Sequence, residues 1–454
     1  MAIDVIVLAA GQGTRMQSQL PKVMHKLAGK PLLAHVLDTA RQLNDVQITV
    51  VVGHGAAQVT NYFAGAALNW SEQSEQLGTG HAVAQALPYL RSDSQTLILY
   101  GDVPLIALAT LETLLTNTAA GELGLLTVEL PNPLGYGRIV RNKNGAVTAI
   151  VEQKDADARQ LQIREINTGV MCLSSNDLRA WIPEIGCDNA QSEYYLTDII
   201  ALAKGRDRVI KTCSPDADHE VEGINTRAQL ATLERVYQGL VAKQLMNVGV
   251  GFADPQRFDC RGSLTSGTDV FIDVNCVFQG EVRLGNGVQI GPNCVIADAS
   301  IGDDTVIKAN SVIEGPVKIG NRVQIGPFAR LREGTDLADD VRIGNFVETK
   351  KTRLGRSSKA NHLSYLGDTE IGEGVNIGAG TITCNYDGVN KHRTTIGDGA
   401  FIGSNASLVA PISIGKNATI GAGSTVTREV PPENLAIARG KQRNIDGWKR
   451  PIKK

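Results

Sequence analysis

The sequence predicts two folds in series, an α/β Rossmann-like domain followed by a left-handed parallel β-helix domain of hexapeptide repeats. Two observations carry this. From Leu284 to Gly421 an aliphatic residue followed by Gly recurs at a spacing that is usually six residues or a multiple of six, as in Leu284-Gly285, Ile290-Gly291, Ile319-Gly320, Ile325-Gly326, Ile396-Gly397 and Ile402-Gly403. Upstream, short apolar runs alternate with helical patterns, which implies a mostly parallel sheet covered by helices.

Three hexads close one triangular coil, with the aliphatic side chain inward and Gly, free of a Cβ, at the bend that follows. Cys276 and Cys294, one coil apart, should stack. The phase breaks at steps of 11 (Ile290 to Ile301, Ile343 to Leu354), 5 (Leu366 to Ile371) and 19 (Ile377 to Ile396). Added residues leave a solenoid as loops on one face, where ligands bind. The longest break contains Thr383-Cys384-Asn385-Tyr386-Asp387-Gly388, and a site is expected there.

In the first half the predicted strands are Val5 to Leu8, Val46 to Val52, Thr96 to Tyr100 and Leu123 to Val128, with helical patterns at Leu32 to Leu43 and His81 to Leu90. Arg227 to Leu245 has apolar residues at helical spacing and reads as a connecting helix that holds the domains apart. The expected parts are 1–226, a linker at 227–249, and 250–454 with a basic tail.

With 454 residues and a net charge of -2, the chain offers no bulk electrostatic case for nucleic acid. Its N-terminus lacks the basic n-region of a signal peptide, and no apolar run approaches the ~20 residues of a membrane span. Seven cysteines without a C-x-x-C pattern predict reduced thiols and a cytoplasmic location.

Ligands on parallel sheets bind at the carboxyl ends of strands, and three strand-end loops carry chemistry. The first is Leu8-Ala9-Ala10-Gly11-Gln12-Gly13-Thr14-Arg15-Met16 with Pro21-Lys22 downstream. Its backbone amides, with Arg15 and Lys22 as counter-charges, suit an anion, and the bland alternative is a glycine turn with solvated cations. Its spacing fits neither a P-loop nor G-x-G-x-x-G, which excludes ordinary ATPase and dinucleotide readings. In the second, Gln73 to Ala82, Gln73 and Gln76 suit a planar base edge and Gly78-Thr79 brings backbone against it; a helix cap by Thr79 is the alternative. The third, Tyr100-Gly101-Asp102-Val103-Pro104, places one carboxylate for a divalent cation or, more blandly, for a turn.

On the β-helix, Asn345 to Lys351 and Lys359 to Asp368 are polar. His362, on an off-phase turn amid polar residues, is suited to general acid-base work, and Arg332 and Lys350 suit a phosphate. Glu348 is placed to orient His362, or else is a solvated coil residue.

The set Leu8-Ala9-Ala10-Gly11-x-Gly13-Thr14-Arg15-Met16, Pro21-Lys22 and Gly101-Asp102 resembles the sugar-phosphate nucleotidyltransferases. With the β-helix added, essentially the whole chain resembles the bacterial family of bifunctional N-acetylglucosamine-1-phosphate uridyltransferase/glucosamine-1-phosphate acetyltransferases. The likeness extends to Gly135-Tyr136-Gly137-Arg138, Val151-Glu152-Gln153-Lys154, Glu165-Ile166-Asn167-Thr168-Gly169, Glu193 to Asp198 and Glu222-Gly223-Ile224-Asn225; Gln12 stands where many relatives carry a basic residue.

The resemblance implies a nucleotide site at Leu8, Ala9, Ala10, Gly11, Gln73, Gly78, Thr79, Tyr100 and Gly101, with Arg15 and Lys22 catalytic. It implies sugar-phosphate contacts from Gly137, Glu152, Asn167 and Thr197, and Mg²⁺ held by Asp102 and Asn225. On the β-helix it implies His362 as general base, Arg332, Lys350, Tyr365 and Asn376 on the amino-sugar phosphate, and Ala379, Asn385, Tyr386, Ser404, Ala422 and Arg439 on acetyl-CoA or the amino sugar. Acetyl-CoA and glucosamine-1-phosphate would give N-acetylglucosamine-1-phosphate, which with UTP gives UDP-N-acetylglucosamine and pyrophosphate. A homotrimer is implied too, and no nucleic-acid or membrane partner. The competing readings are a monofunctional nucleotidyltransferase with an oligomerising or regulatory β-helix, and a non-catalytic assembly protein.

Overall fold

The computed structural model describes residues 2–453, and the chain divides into two compact units, Met1–Tyr237 and Gln238–Lys454.

The first unit is built on a nine-stranded sheet. Ile3–Ala9 lies at its centre between Val46–Val52 and Gln95–Tyr100, parallel to both. Successive residues of the central strand face opposite ways. Val5, Val7 and Ala9 join a core with Leu33 and Leu37 of the Leu32–Ala40 helix, while Ile6, Leu8 and Ala10 join another with Ala82 and Val83 of Thr79–Ala86. Burial on both faces is what makes these strands continuous apolar runs.

The sheet is less parallel than the sequence predicts. Glu165–Ser174 runs antiparallel to both Gln95–Tyr100 and Leu123–Glu129. The reason lies in the connection: between Leu123–Glu129 and Glu165–Ser174 the chain forms a hairpin, Arg138–Arg141 with Val147–Val151, where a parallel return would need a crossover such as a helix. That hairpin roofs part of the site described below.

The second unit is a parallel solenoid. Eleven short strands, from Gly251–Phe252 to Leu435–Ala436, stack along one wall. Ile272, Ile290, Ile307, Ile325 and Ile343 lie in register on successive coils and fill its axis. The glycines after the aliphatic residues serve close packing more than the bend. A Cβ on Gly302 would lie 2.7 Å from the Gly320 backbone, and one on Gly378 would lie 2.6 Å from the Ser404 nitrogen. Cys276 and Cys294 stack as neighbours, both buried, and all seven cysteines are free.

The phase breaks divide into two kinds. The steps of 11 and 5 are one-residue shortages, and they are absorbed inside strands rather than extruded as loops. Asp298, Lys351 and Asp368 take up the shortage with left-handed φ of 46°, 46° and 49°. Such a kink re-aims the side chains around it, as a bulge does. Only the long step makes a loop, pinned by a bridge between Tyr386 and Lys391.

The Arg227–Asn247 helix crosses the division between the units. Leu233 packs in a cluster with Met16, Leu27, Leu32 and Ile224, whereas Ala242 and Leu245 pack into the solenoid core.

Candidate active sites

In the first unit the strand ends open into a cleft of about 520 Å³. Leu8, Ala9, Ala10, Gly11, Arg15, Lys22, Gln73, Gly78, Thr79, Tyr100, Asp102 and Asn225 line it. A neighbouring cavity of about 250 Å³ is lined by Gly137, Glu152, Asn167 and Thr197 and shares Thr79, Tyr100, Asp102 and Asn225 with the cleft. Two compartments therefore meet at the carboxylate and the amide expected to hold a cation.

Local structure explains the placement. Gly13, in the left-handed region at φ 64°, starts the turn that carries Arg15, and a Cβ there would lie 2.7 Å from Lys22 Cβ. Met16, buried beside Ile224, anchors that turn near Asn225. The Ile224 N–H donates to the Asp102 carbonyl at 2.9 Å, which brings Asn225 to Asp102. Lys22 Nζ pairs with Asp102 Oδ2 and donates to Asn225 Oδ1 at 3.1 Å. Arg15 donates to the same Oδ1 at 2.9 Å.

Some expectations need correction. The Cβ position of Gly101 is 3.2–3.3 Å from side-chain atoms of Val23, Ala9 and Leu33, so that side of the residue packs the core and its backbone is what it has to offer a ligand. Thr79 is no helix cap; its hydroxyl accepts the Leu196 N–H at 3.0 Å. Gln73 is buried, and its amide nitrogen is engaged with the Gly78 carbonyl at 3.0 Å and His81 Nδ1 at 3.1 Å, leaving its carbonyl oxygen to offer a base. The turn is clamped from outside by two bonds, Tyr194 N–H to Leu77 O and Gly80 N–H to Tyr194 O.

Burial pushes the Glu152 carboxyl above its ordinary range, although the Thr197 hydroxyl donates to it at 3.2 Å. Burial, with Glu152 and Asp102 nearby, likewise raises the Tyr100 phenol. Tyr136, Val103, Val221 and Gly223 line the smaller cavity without having been singled out as site residues. Tyr136 and Gly223 lie in stretches the sequence marked; the valines carry no polar signal to find them by.

On the solenoid His362 ends the Lys359–His362 strand, in register with Asn345 one coil earlier. Its Nδ1 lies 2.8 Å from Asn345 Oδ1. In the tautomer whose Nδ1–H donates to that oxygen, Nε2 keeps its lone pair. Glu348 does not orient the ring. It pairs with Arg332 at 2.8 Å, while Lys350 pairs with Glu333 at 3.1 Å. Sequence reasoning passed over Asn345 as a partner because shortened coils shift which residues stack.

Gly367 leaves room for the Tyr365 hydroxyl and Asn385 Nδ2, which would lie 2.5 and 2.7 Å from a Cβ there. Asn385 in turn donates to Asp368, a residue at one of the kinks, at 2.5 Å. Tyr386 is exposed on the loop and donates to the Gly388 carbonyl at 2.5 Å. Ala379, Ser404 and Ala422 follow one edge on successive coils, linked by Asn405 N–H to Ala379 O and Gly423 N–H to Ser404 O, and Arg439 donates to the Ala422 carbonyl at 2.7 Å. Asn376 stands two positions before Gly378 on the same wall as His362. The expected residues thus form two groups, one of Arg332 and Lys350, each paired to a carboxylate, with Tyr365, and an edge running from His362 to Arg439.

Residues 5–160 match the MobA-like NTP transferase domain, residues 298–333 the bacterial transferase hexapeptide (six repeats), and residues 393–428 the hexapeptide repeat of succinyl-transferase. The chain is 60% identical over 454 residues to the bifunctional protein GlmU of Idiomarina loihiensis, covering 100% of this chain and 99% of the relative. It is 59% identical to the bifunctional protein GlmU of Marinobacter nauticus, over 99% of each chain, and 59% identical to that of Cellvibrio japonicus, over 100% of each.

Proposed function

The chain belongs to the GlmU family of bifunctional proteins, and on that footing we propose that it makes UDP-N-acetylglucosamine in two steps, one in each unit. The β-helix unit transfers acetyl from acetyl-CoA to glucosamine-1-phosphate, and the α/β unit then transfers uridyl from UTP. The observation that carries the reading is the meeting of two compartments at Asp102 and Asn225, with Arg15 and Lys22 at the junction.

In uridyl transfer an oxygen of N-acetylglucosamine-1-phosphate attacks the α-phosphorus of UTP. A new P–O bond forms as the bond to the β-phosphate breaks, and pyrophosphate leaves. Such chemistry asks the protein for position and charge. UTP lies in the larger cleft over Gly11 and Gln73, the sugar phosphate in the smaller cavity against Glu152, Asn167 and Thr197, and the reacting groups at the wall they share. Arg15 and Lys22 offset negative charge there. Asp102 and Asn225 supply one carboxylate and one amide oxygen, a donor set that suits Mg²⁺, which completes its shell with waters and phosphates. The ion when bound neutralises phosphate charge.

In acetyl transfer the amine of glucosamine-1-phosphate attacks the thioester carbonyl while His362 Nε2 takes its proton. The C–S bond then breaks, and coenzyme A leaves as the thiol once protonated. Arg332 and Lys350 hold the sugar phosphate by exchanging their resident carboxylates for it. The groups from His362 to Arg439 lie on the outer surface of one chain, which favours a trimer in which a second subunit covers them. Free cysteines and the lack of any described helix long and apolar enough to span a membrane support a cytoplasmic enzyme.

The deciding experiment is mass spectrometry of the products from glucosamine-1-phosphate, acetyl-CoA, UTP and Mg²⁺. UDP-N-acetylglucosamine with free coenzyme A is the expected result. A UDP-sugar without acetylation would reduce the solenoid to a scaffold or regulator, and no product at all would refute the proposal.

A further inference from the structure

The Lys22 ammonium sits on the Asp102 carboxylate and 3.1 Å from Asn225 Oδ1, and the Arg15 guanidinium reaches that same oxygen at 2.9 Å. These are the two side chains that the proposed function assigns to the divalent cation, and the inference rests on that assignment. The Lys22 and Asp102 side chains are 16% and 12% exposed, so their attraction is screened far less than that of a surface pair. The contact is also built into the loop, because only the missing Cβ of Gly13, at φ 64°, lets the Lys22 stem pass 2.7 Å from where that atom would stand.

We infer that Lys22 is an internal substitute for the metal: its ammonium competes with the divalent ion for Asp102 and Asn225 and yields when nucleotide phosphates offer it another partner. Charge balance gives the reason. With Lys22 and Arg15 both resting on these oxygens, a divalent ion arriving alone adds like charge beside two cations. An ion arriving with a triphosphate brings more negative charge than positive. The triphosphate draws Lys22 and Arg15 off the two oxygens, and the ion takes their place. The free protein therefore binds divalent cations weakly, and metal and nucleotide load together. By linkage each raises the affinity for the other by the same factor.

The test is Mn²⁺ binding to the full chain with no sugar phosphate present, read without nucleotide from the electron paramagnetic resonance of free Mn²⁺, and with UTP from the water-proton relaxation of protein-bound Mn²⁺ against a Mn²⁺–UTP blank. Without nucleotide, Lys22→Met should bind Mn²⁺ roughly tenfold more tightly than the parent, because it removes the competitor and leaves the oxygens. Lys22→Arg keeps a cation at the site and should stay as weak as the parent. Adding UTP should tighten Mn²⁺ binding strongly in the parent and much less in Lys22→Met. Circular dichroism melts check that each variant is folded. Unchanged or weaker Mn²⁺ binding by folded Lys22→Met overturns the competition while leaving the metal assignment intact. Without nucleotide, tight Mn²⁺ binding by Lys22→Met that survives a further Asp102→Asn overturns the assignment itself, and the competition with it.

Discussion

Asn345→Ala tests whether the solenoid site depends on a fixed imidazole. His362 is exposed, and its described side-chain partner is Asn345 Oδ1 at 2.8 Å. Removing that acceptor leaves the ring in place but frees it to rotate and to carry its proton on either nitrogen. A net hydrogen bond of this kind contributes about 1 kcal/mol, so acetyl transfer should fall about fivefold, in kcat rather than in KM for acetyl-CoA. His362→Ala removes the base altogether and should cost roughly 10²–10⁴. Asn345→Asp keeps an acceptor for the ring nitrogen and should retain most of the acetyl transfer that Asn345→Ala loses. The assay is thiol release from acetyl-CoA across pH, with uridyl transfer on the same samples as the control. Parent-like acetyl transfer by Asn345→Ala, with His362→Ala inactive, would refute the positioning argument. Loss of both activities in His362→Ala would mean misfolding, not lost chemistry.

Arg15→Ala should lower uridyl kcat far more than it raises KM for N-acetylglucosamine-1-phosphate, because its charge acts at the wall between the compartments; steady-state kinetics check this. Glu152 has its carboxyl raised by burial, so the folded state holds its proton to higher pH than the unfolded chain does. Its contribution is therefore lost as pH rises from the ordinary carboxylate range through the folded value, and Glu152→Gln should melt higher than the parent at pH 7 with the difference fading on acidification. Arg138 is 2% exposed, donates to the Tyr136 carbonyl and to Gln153 at 2.8 Å, leaves Nε without a partner, and has no carboxylate against it among the described residues. Arg138→Met should thus hold or raise the melting temperature while raising KM for the sugar phosphate, since the Gly135 to Gly137 turn loses its clamp. Gly320→Ala would set a Cβ 2.8 Å from the Ala338 carbonyl carbon and should destabilise the solenoid by about 1–3 kcal/mol, measured by denaturant unfolding.

The central strands were legible because burial on both faces writes them as apolar runs; Val46–Val52 has the bounds its sequence suggests. The antiparallel Glu165–Ser174 was not, although Asn144-Gly145 between Arg138–Arg141 and Val147–Val151 is a hairpin signal that argues against a helical crossover. In the solenoid the six-residue period located the coils but not their shortened members, because a left-handed residue such as Asp298 or Lys351 can absorb a missing position without any change of residue type that a pattern would reveal. The site residues were found where local motif and chemistry coincide, as at Arg15, Lys22 and Asp102. Their pairings were not, because Lys22 and Asn225 are brought together by the Ile224 N–H bond to Asp102 and the packing of Met16 in one cluster with Ile224, and Asn345 and His362 by the coil.

Those partners change how the cations act. In both units the side chains suited to phosphate are already paired: Lys22 with Asp102, Arg15 with Asn225, Arg332 with Glu348 and Lys350 with Glu333. A phosphate does not meet bare charge in either place, so its gain is the difference between two pairings. That difference favours the phosphate, which offers more charge and more acceptor oxygens than a carboxylate or an amide. The resident partners meanwhile hold long, flexible side chains in one geometry before the ligand arrives, lowering the entropy lost when it binds. The same pairing keeps two cationic sites compatible with a chain whose net charge is only -2. Attraction over long range is given up, and discrimination at contact is what remains: an anion binds only if it can replace the partner already there.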